Sequence, residues 1–299
     1  MVRKKKKKEI LIPTLIILIL ILSVGFYYFK STTPKVETEG NVDDYIKLGG
    51  SLLYDQKRYE EAIEQFNNAI ALNPEIEDPY RGLGWAYFWL GDYDKAIENF
   101  NIAINLNPEI EDLYRGLGWA YYGLKDYDKA IESFDKALSI NTDSENAYQG
   151  LGQSYFYIKE YDKAKENFEK ALSINPGSDN YYLWLSRTYL YLKEYDKAKE
   201  NIEKAISINP EKSGYYTVLG WIFYRLDNYE QAEEQFNKSI ELSPEPKFIE
   251  NNAYHGLAFV EYGKGNIELA KTYYYKCEEL DPDYHSKYPS KIGQFLGLD

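Results

Sequence analysis

The sequence predicts an all-α fold, an α-solenoid of seven helix-turn-helix units that follows one transmembrane helix. Two observations predict the solenoid. One pattern of Tyr, Leu, Gly, Tyr, Ala and Phe returns every 34 residues along most of the chain. Apolar residues also recur at three- and four-residue steps in both halves of each unit, as they do on one face of a helix. A third observation, an uncharged apolar run over residues 10–29, predicts the membrane helix.

The N-terminal residues predict a membrane anchor. Residues 1–9 are strongly basic, and the apolar run of residues 10–29 is long enough to cross the roughly 30 Å hydrocarbon core of a bilayer as a helix. Basic residues favour the cytoplasmic side, so we expect residues 1–9 in the cytoplasm and the repeats outside it. A cleaved secretory signal, which would give a secreted protein, is the alternative interpretation. Residues 30–42 are polar with a Pro and a Gly, which is typical of a flexible linker.

The unit at residues 77–110 shows how each repeat is expected to fold. Large apolar side chains follow a helical spacing over residues 78–91 and again over residues 94–106, and Gly91 between them predicts a tight turn. Small residues such as Gly84 let the two helix backbones approach closely. The proline that closes the unit ends the second helix, because the residue before a proline avoids the α region. One helix pair cannot bury both of its apolar faces, so it must stack on its neighbours.

Seven copies of this unit fill residues 43–284. They are predicted at residues 43–76, 77–110, 111–144, 145–178, 179–212, 213–246 and 251–284. A short insertion, residues 247–250, delays the last copy. The remaining residues, 285–299, carry Ile292, Phe295 and Leu296 at helical spacing and are predicted to cap the end of the last repeat.

In the second unit the repeated pattern consists of Tyr80, Leu83, Gly84, Tyr87, Ala96, Phe100 and Pro108. This pattern resembles the tetratricopeptide repeat family, although this chain has Tyr at the first position, where the family more often has Trp. The resemblance implies a right-handed superhelix in which the first helix of each repeat lines a concave groove, and it implies that this groove binds partner peptides.

The composition argues against several classes of function. From residue 31 onward the chain carries 28 basic and 47 acidic residues, so its repeats are expected to repel nucleic acid. Cys277 is the one cysteine; we expect a small buried thiol there and no internal disulfide. His255 and His285 have no neighbours at the spacing of a catalytic or metal site. We therefore expect no enzyme, no metal and no small-molecule cofactor.

The inner face of the first helices is the predicted binding surface. Positions five, nine and twelve, counted from the start of each repeat, fall on one helix face, and many of them are aromatic. The predicted partner-binding residues are Lys47, Arg81, Trp85, Phe88, Trp89, Arg115, Trp119, Tyr122, Gln149, Gln153, Phe156, Arg187, Trp221, Tyr224 and Phe259. In the family's groove that clamps a C-terminal carboxylate, an Asn stands where this chain has tryptophans, so that class of partner is not expected.

Large aromatic rings on a surface that the core does not need are typical of binding hot spots. We expect four rings to anchor an extended segment of a partner protein with apolar or aromatic side chains and some acidic character: Trp85, Trp119, Trp221 and Phe259. Arg81 and Arg115 are expected to fix its direction. Three alternatives stay open. The rings stack on sugars, the rings only fill the inner curve, or the two arginines only pair with the aspartates three residues before them.

Overall fold

The computed structural model describes residues 40–243, 249–283 and 291–298. Within these residues the chain forms fifteen helices and no strand. They are α1 (Val42–Tyr54), α2 (Tyr59–Leu72), α3 (Glu77–Leu90), α4 (Tyr93–Leu106), α5 (Glu111–Gly123), α6 (Tyr127–Ile140), α7 (Glu145–Tyr157), α8 (Tyr161–Ile174), α9 (Asp179–Tyr191), α10 (Tyr195–Ile208), α11 (Ser213–Arg225), α12 (Tyr229–Glu241), α13 (Ile249–Gly263), α14 (Ile267–Leu280) and α15 (Ile292–Leu296). The predicted all-α solenoid is confirmed.

The odd-numbered and even-numbered helices occupy different sides of the solenoid. Each odd-numbered helix from α1 to α13 packs against the even-numbered helix that follows it, and α2 to α12 each pack against the next odd-numbered helix as well. Successive odd-numbered helices also touch each other at every step, whereas the even-numbered helices in the described residues form no such series. Because elements crowd together on the inside of a curved stack, the odd-numbered helices are the inner helices and the even-numbered ones are the outer helices.

A phenylalanine from an outer helix fills the gap between two inner helices. Phe100 on α4 is fully buried. A Cβ added at Gly84 on α3 would lie 2.6 Å from its ring, and one at Gly116 on α5 would lie 2.3 Å away. Ordinary carbon contacts are about 3.5–4.0 Å, so both helices need a residue without a side chain here. Buried phenylalanines on other outer helices repeat the arrangement in whole or in part: Phe66, Phe134, Phe168 and Phe236.

The fifth repeat departs from this packing. On α9, Trp184 and Ser186 stand at the two positions that hold glycines in α3, α5 and α7. The Trp184 indole stacks flat on Phe168, with ring centroids 5.6 Å apart and planes at 14°. The Ser186 hydroxyl donates to the Ala198 carbonyl oxygen at 2.7 Å. A buried indole at α9 therefore fills the space that glycine leaves free in α3, α5 and α7.

The turn inside each repeat uses one residue with a positive φ. Gly91, where the sequence predicts the turn, has a φ of 79°, and Gly265 has a φ of 86°. The other five repeats place a residue with a side chain there: Lys57, Lys125, Lys159, Lys193 and Asp227. Left-handed backbone costs such residues roughly 1–2 kcal/mol, which the packing of the two flanking helices offsets.

The last repeat is covered by α15. Ile292 and Leu296 are buried and pack with Tyr274 of α14. Phe295 is half exposed, yet its ring stacks on Tyr262 at 5.5 Å. The capping role predicted for residues 285–299 remains a prediction, since residues 284–290 and 299 lie outside the described ranges.

Several predictions concern residues that the structure does not describe. The basic segment 1–9, the predicted membrane helix 10–29 and nearly all of the linker 30–42 fall in this part of the chain. Residues 247 and 248 of the predicted insertion do so too, and α13 begins at Ile249. Across the described ranges, every helix is too short or too polar to cross a bilayer.

Candidate functional site

Trp85 is built into the junction between two inner helices. Its side chain on α3 is only 5% exposed, and its Nε1–H donates to Asp112 Oδ2 on α5 at 2.9 Å. Its ring meets Phe100 edge-on with centroids 5.3 Å apart. The expectation of a free indole at Trp85 is therefore wrong, because α3 and α5 approach closely enough to enclose it. Gln153, also predicted on the binding surface, is buried as well.

The two predicted basic anchors are paired within the fold. Arg81 forms an ion pair with Asp78 on its own helix. Arg115 pairs with Asp112, lies 3.8 Å from a carboxylate oxygen of Glu111, and sits 4.9 Å from the centroid of the Trp85 ring. The intrahelical pairing that the spacing allows is thus what the structure has. Both guanidinium groups therefore already have a carboxylate partner within the protein.

The remaining predicted residues differ in exposure. Trp89, at the end of α3, is 56% exposed. Trp119 and Trp221 are half buried, each with an edge against a core ring: Trp119 on Phe134 at 5.2 Å and Trp221 on Phe236 at 5.4 Å. Lys47 is exposed, and a further group is partly exposed: Phe88, Tyr122, Gln149, Phe156, Arg187, Tyr224 and Phe259. Trp119 and Trp221 thus each pack one ring edge against the core and leave another part of the ring accessible on the inner surface.

A continuous band of rings crosses three repeats, from α5 to α9. This central aromatic band consists of Tyr122, Tyr127, Phe156, Tyr157, Tyr161, Trp184 and Tyr191. Ring centroids of adjacent members are 5.0 to 5.8 Å apart. Each ring thus holds the next, so the band presents a fixed aromatic surface rather than a set of independent side chains.

Two flat stacks form the exposed part of the band. Tyr157, the last residue of α7, stacks on Tyr127 with centroids 5.3 Å apart and planes at 5°. Tyr191, the last residue of α9, stacks on Tyr161 at 5.0 Å and 14°. Tyr157 is 49% exposed and Tyr191 is 57% exposed. A ring that is already held in place loses little conformational freedom when a ligand covers it, which favours binding.

The predicted site did not include these two exposed tyrosines. Tyr157 and Tyr191 stand at position thirteen of their repeats, one residue beyond the predicted position twelve. Trp89 occupies the same position in α3 and was included, so an available signal was the recurrence of large aromatics at position thirteen. Their flat stacking on the preceding repeat could not be read from the spacing.

Arg187 lies in the middle of this surface. It is on α9, one turn beyond Trp184, and its guanidinium carbon is 5.3 Å from the centroid of that indole. It interacts electrostatically with hydroxyls from four inner helices, those of Tyr122, Tyr157, Tyr191 and Tyr215. Burial lowers the pKa of Arg187, and burial, reinforced by Tyr157, raises the pKa of Tyr122 well above its usual range. The guanidinium of this partly exposed side chain therefore lies among aromatic groups that reduce its contact with water.

A second polar cluster lies in the last repeat, away from the band. Glu261 on α13 is 2% exposed, accepts a hydrogen bond from Asn266 Nδ2 at 2.7 Å and lies 3.2 Å from Lys264 Nζ. Lys264 also pairs with Glu233 on α12. Every charge in this cluster has a partner, so it ties α12 to α13 and is not a vacant site.

Of the two histidines and the one cysteine, His255 and Cys277 lie in the described residues. His255 lies beside Phe259, with ring centroids 5.2 Å apart, while His285 is outside the described residues. Cys277 is fully buried, and burial raises its pKa to about 12, which matches the expected buried thiol. In the ranges that the structure describes, no cluster of His, Cys, Asp and Glu is suited to hold a metal ion.

Comparison with protein-family models identifies tetratricopeptide repeats along most of the chain. The matches cover residues 50–91, 81–145, 145–178, 179–212, 213–246 and 252–284. None of the curated proteins compared with the sequence matches it.

Solved structures with the same fold extend this result. A tetratricopeptide repeat protein from Parabacteroides merdae is 19% identical, with 86% of this chain and 98% of that chain covered and a TM-score of 0.65. MamA from Desulfovibrio magneticus is 25% identical, with 56% and 94% covered and a TM-score of 0.53. YrrB, described as a repeat protein of this kind with an unusual peptide-binding site, is 20% identical, with 60% and 93% covered and a TM-score of 0.52. At such low identity the first and third establish a likeness of fold alone.

Proposed function

Because the chain belongs to the tetratricopeptide repeat family, we propose that it is a membrane-anchored scaffold that holds an extended segment of a partner protein. Repeat proteins of this family typically mediate protein–protein interactions. The partner segment lies along the inner helices and crosses the central aromatic band.

The observation that carries this proposal is the exposure of Tyr157 and Tyr191. A folded protein usually buries rings of this size or scatters them singly over its surface. Here two of them are about half exposed, each locked in a flat stack on the repeat before it. Clustered aromatics with one accessible face are typical of the residues that dominate binding energy in protein interfaces.

The position of the band favours an extended segment over a compact ligand. The band spans α5 to α9, and two half-buried rings adjoin this path: Trp119 on α5, 5.4 Å from the Tyr122 ring, and Trp221 on α11, the next inner helix. A strand rises by about 3.3 Å per residue, so several successive residues of a partner contact rings along this path. Apolar or aromatic partner side chains suit such a surface.

The location of the scaffold rests on the sequence of residues 1–29. A basic block followed by an uncharged apolar run supports a single membrane helix with the repeats outside the cytoplasm. The test is protease digestion of intact cells or spheroplasts that express the full chain. Digestion of the repeats from outside the membrane supports this orientation, and recovery of the intact, uncleaved chain from the soluble fraction contradicts it.

The binding proposal is tested with the full chain in detergent micelles. Tryptophan fluorescence is titrated with extended peptides rich in apolar and aromatic residues, and separately with cell-envelope glycans. We expect saturable quenching by peptides. Replacing both exposed tyrosines, Tyr157→Ala with Tyr191→Ala, should weaken peptide binding by about 2 kcal/mol or more without changing the helical circular dichroism signal.

The matched control is Tyr275→Ala on α14. Tyr275 is 50% exposed, close to the exposure of the two band tyrosines, but it lies outside the band. Its removal should leave peptide affinity unchanged. Quenching by glycans and not by any peptide would instead favour a carbohydrate-binding role for the same rings. An equal loss of affinity in the control would show that the effect is not specific to the band.

A further inference from the structure

Arg187 differs from the other arginines that the structure describes. Arg58, Arg81 and Arg115 each pair with a carboxylate three residues away in the chain, and Arg225 is exposed to water. Arg187 is only partly exposed and lies over the Trp184 ring, and in the described part of the chain no carboxylate oxygen lies within 4.0 Å of its guanidinium. Removing a cation even partly from water without supplying an anion is unfavourable. The fold retains this unpaired charge at the centre of its most aromatic surface.

The missing carboxylate reflects a change along the inner helices. Position two of each repeat supplies the aspartates that neutralise the inner arginines of the second and third repeats, Asp78 and Asp112. The same position in the next three repeats carries no charge, since it holds Asn146, Asn180 and Gly214. Position two lies about two helical turns from position nine of its own helix, but Trp85 at position nine of the second repeat contacts Asp112 at position two of the next repeat. The residue that stands in this relation to Arg187 is Gly214, which has no carboxylate.

The acidic residues that remain on the neighbouring inner helices are already engaged. Asp179, the first residue of α9, forms an ion pair with Lys212 at 2.8 Å. Glu145, the first residue of α7, accepts a hydrogen bond from the Tyr181 hydroxyl at 2.6 Å. Both carboxylates therefore have partners, and both lie at the starts of their helices, whereas Arg187 lies about two turns further along α9.

We propose that Arg187 is the docking point for the carboxylate of an Asp or Glu side chain within the partner segment. This inference rests on the proposed function and specifies its partner. The guanidinium offers several N–H donors in one plane and binds carboxylates through paired hydrogen bonds. Its contact with the Trp184 ring positions the guanidinium, and Tyr157 and Tyr191, both about half exposed, lie near it. The partner residue is therefore acidic and has apolar or aromatic neighbours.

Two features favour a side chain inside a segment over a terminal carboxylate. Arg187 lies in the fifth of seven repeats, so the inner surface continues on both sides of it and an extended chain passes over it. The repeats are also strongly acidic as a whole, with 28 basic against 47 acidic residues from residue 31 onward, and such a surface repels a highly acidic partner. A single acidic residue among apolar neighbours meets both conditions.

The test uses the full chain in detergent micelles and two capped, fluorescently labelled peptides. One has a central Glu between aromatic residues, and the other has Gln in its place. Fluorescence anisotropy should show that the Glu peptide binds about ten- to a hundred-fold more tightly, the range for a hydrogen bond to a charged group. Arg187→Gln should abolish the preference while retaining weak binding of the Gln peptide. Arg225→Gln, an exposed arginine on the next inner helix, should preserve it.

The outcomes separate this inference from the proposed function. Equal affinity of the wild-type chain for both peptides overturns the role of Arg187 and leaves peptide binding intact, and this comparison needs no variant. A preference for the Glu peptide that survives in a folded Arg187→Gln variant overturns it too. If an uncapped peptide binds more tightly through its terminal carboxylate, that terminal group and not a side chain is the ligand of Arg187, and the inference is overturned. Failure of the wild-type chain to bind either peptide removes both proposals.

Discussion

Replacing Gly116 by alanine tests the close packing on which the whole solenoid depends. A Cβ at this position would lie 2.3 Å from Cζ of Phe100, with two further ring atoms at 2.6 and 2.9 Å. Carbon atoms normally rest about 3.5–4.0 Å apart, so the ring and α5 must separate by more than 1 Å. We expect Gly116→Ala to lower the free energy of unfolding.

The magnitude follows from whether the Phe100 ring can give way. On its far side a Cβ at Gly84 would already lie 2.6 Å away, and the Trp85 indole meets the ring edge-on at 5.3 Å. The ring is enclosed, so the cost belongs at the upper end of the 1–3 kcal/mol typical of overpacking. Alanine is favoured over glycine inside a helix by about 1 kcal/mol. The net loss is therefore about 2 kcal/mol.

Gly50→Ala is the matched control. Gly50 is also inside an inner helix, but a Cβ there meets nothing within 4 Å, so the variant should gain about 0.5–1 kcal/mol. Both variants are compared with the wild-type chain by urea denaturation followed by circular dichroism. Because long repeat arrays need not unfold in one step, hydrogen exchange of α4 and α5 locates the effect. A Gly116→Ala chain as stable as the wild type would refute the packing argument.

Two further predictions concern the fold. Trp85→Ala should lower the free energy of unfolding by about 3–5 kcal/mol, as truncation of a buried tryptophan does. Trp89→Ala should change it by about 0.5 kcal/mol or less. Similar values for the two variants would contradict their different burial. Lys125→Gly should stabilise the chain by about 1 kcal/mol, because Lys125 has a φ of 63° that glycine adopts without strain. Gly91→Ala should destabilise it by a similar amount. Melting temperatures of the two turn variants that shift in the same direction would contradict the turn argument.

The repeat architecture was predictable from the sequence because its causes are local. Two helical stripes, a turn and a closing proline all act within one unit, and the stacking of units follows from the apolar faces that a single unit leaves uncovered. The ion pair of Arg81 with Asp78 belongs to the same class, since both residues lie on one turn of one helix. The helix order and the alternation of inner and outer helices thus required no tertiary information.

The candidate site was predicted only in part. Positions five, nine and twelve select residues on the odd-numbered helices, and Phe156 and Arg187 among them are partly exposed. The same rule selected Trp85, which the approach of α3 and α5 encloses, and it left out Tyr157 and Tyr191. Exposure at these positions depends on the distance between neighbouring repeats, which the identity of a single residue does not reveal.

What the sequence determined by itself is the repeat, its period and the face of each helix that turns inward, because helical periodicity and the alternation of small and large residues are properties of short stretches of chain. What only the tertiary structure decided is which inner side chains are used up by the fold and which stay available. Arg115 is neutralised and Arg187 is not, although both stand on inner helices, because the groups around Arg187 come from several repeats that meet only once the solenoid has formed.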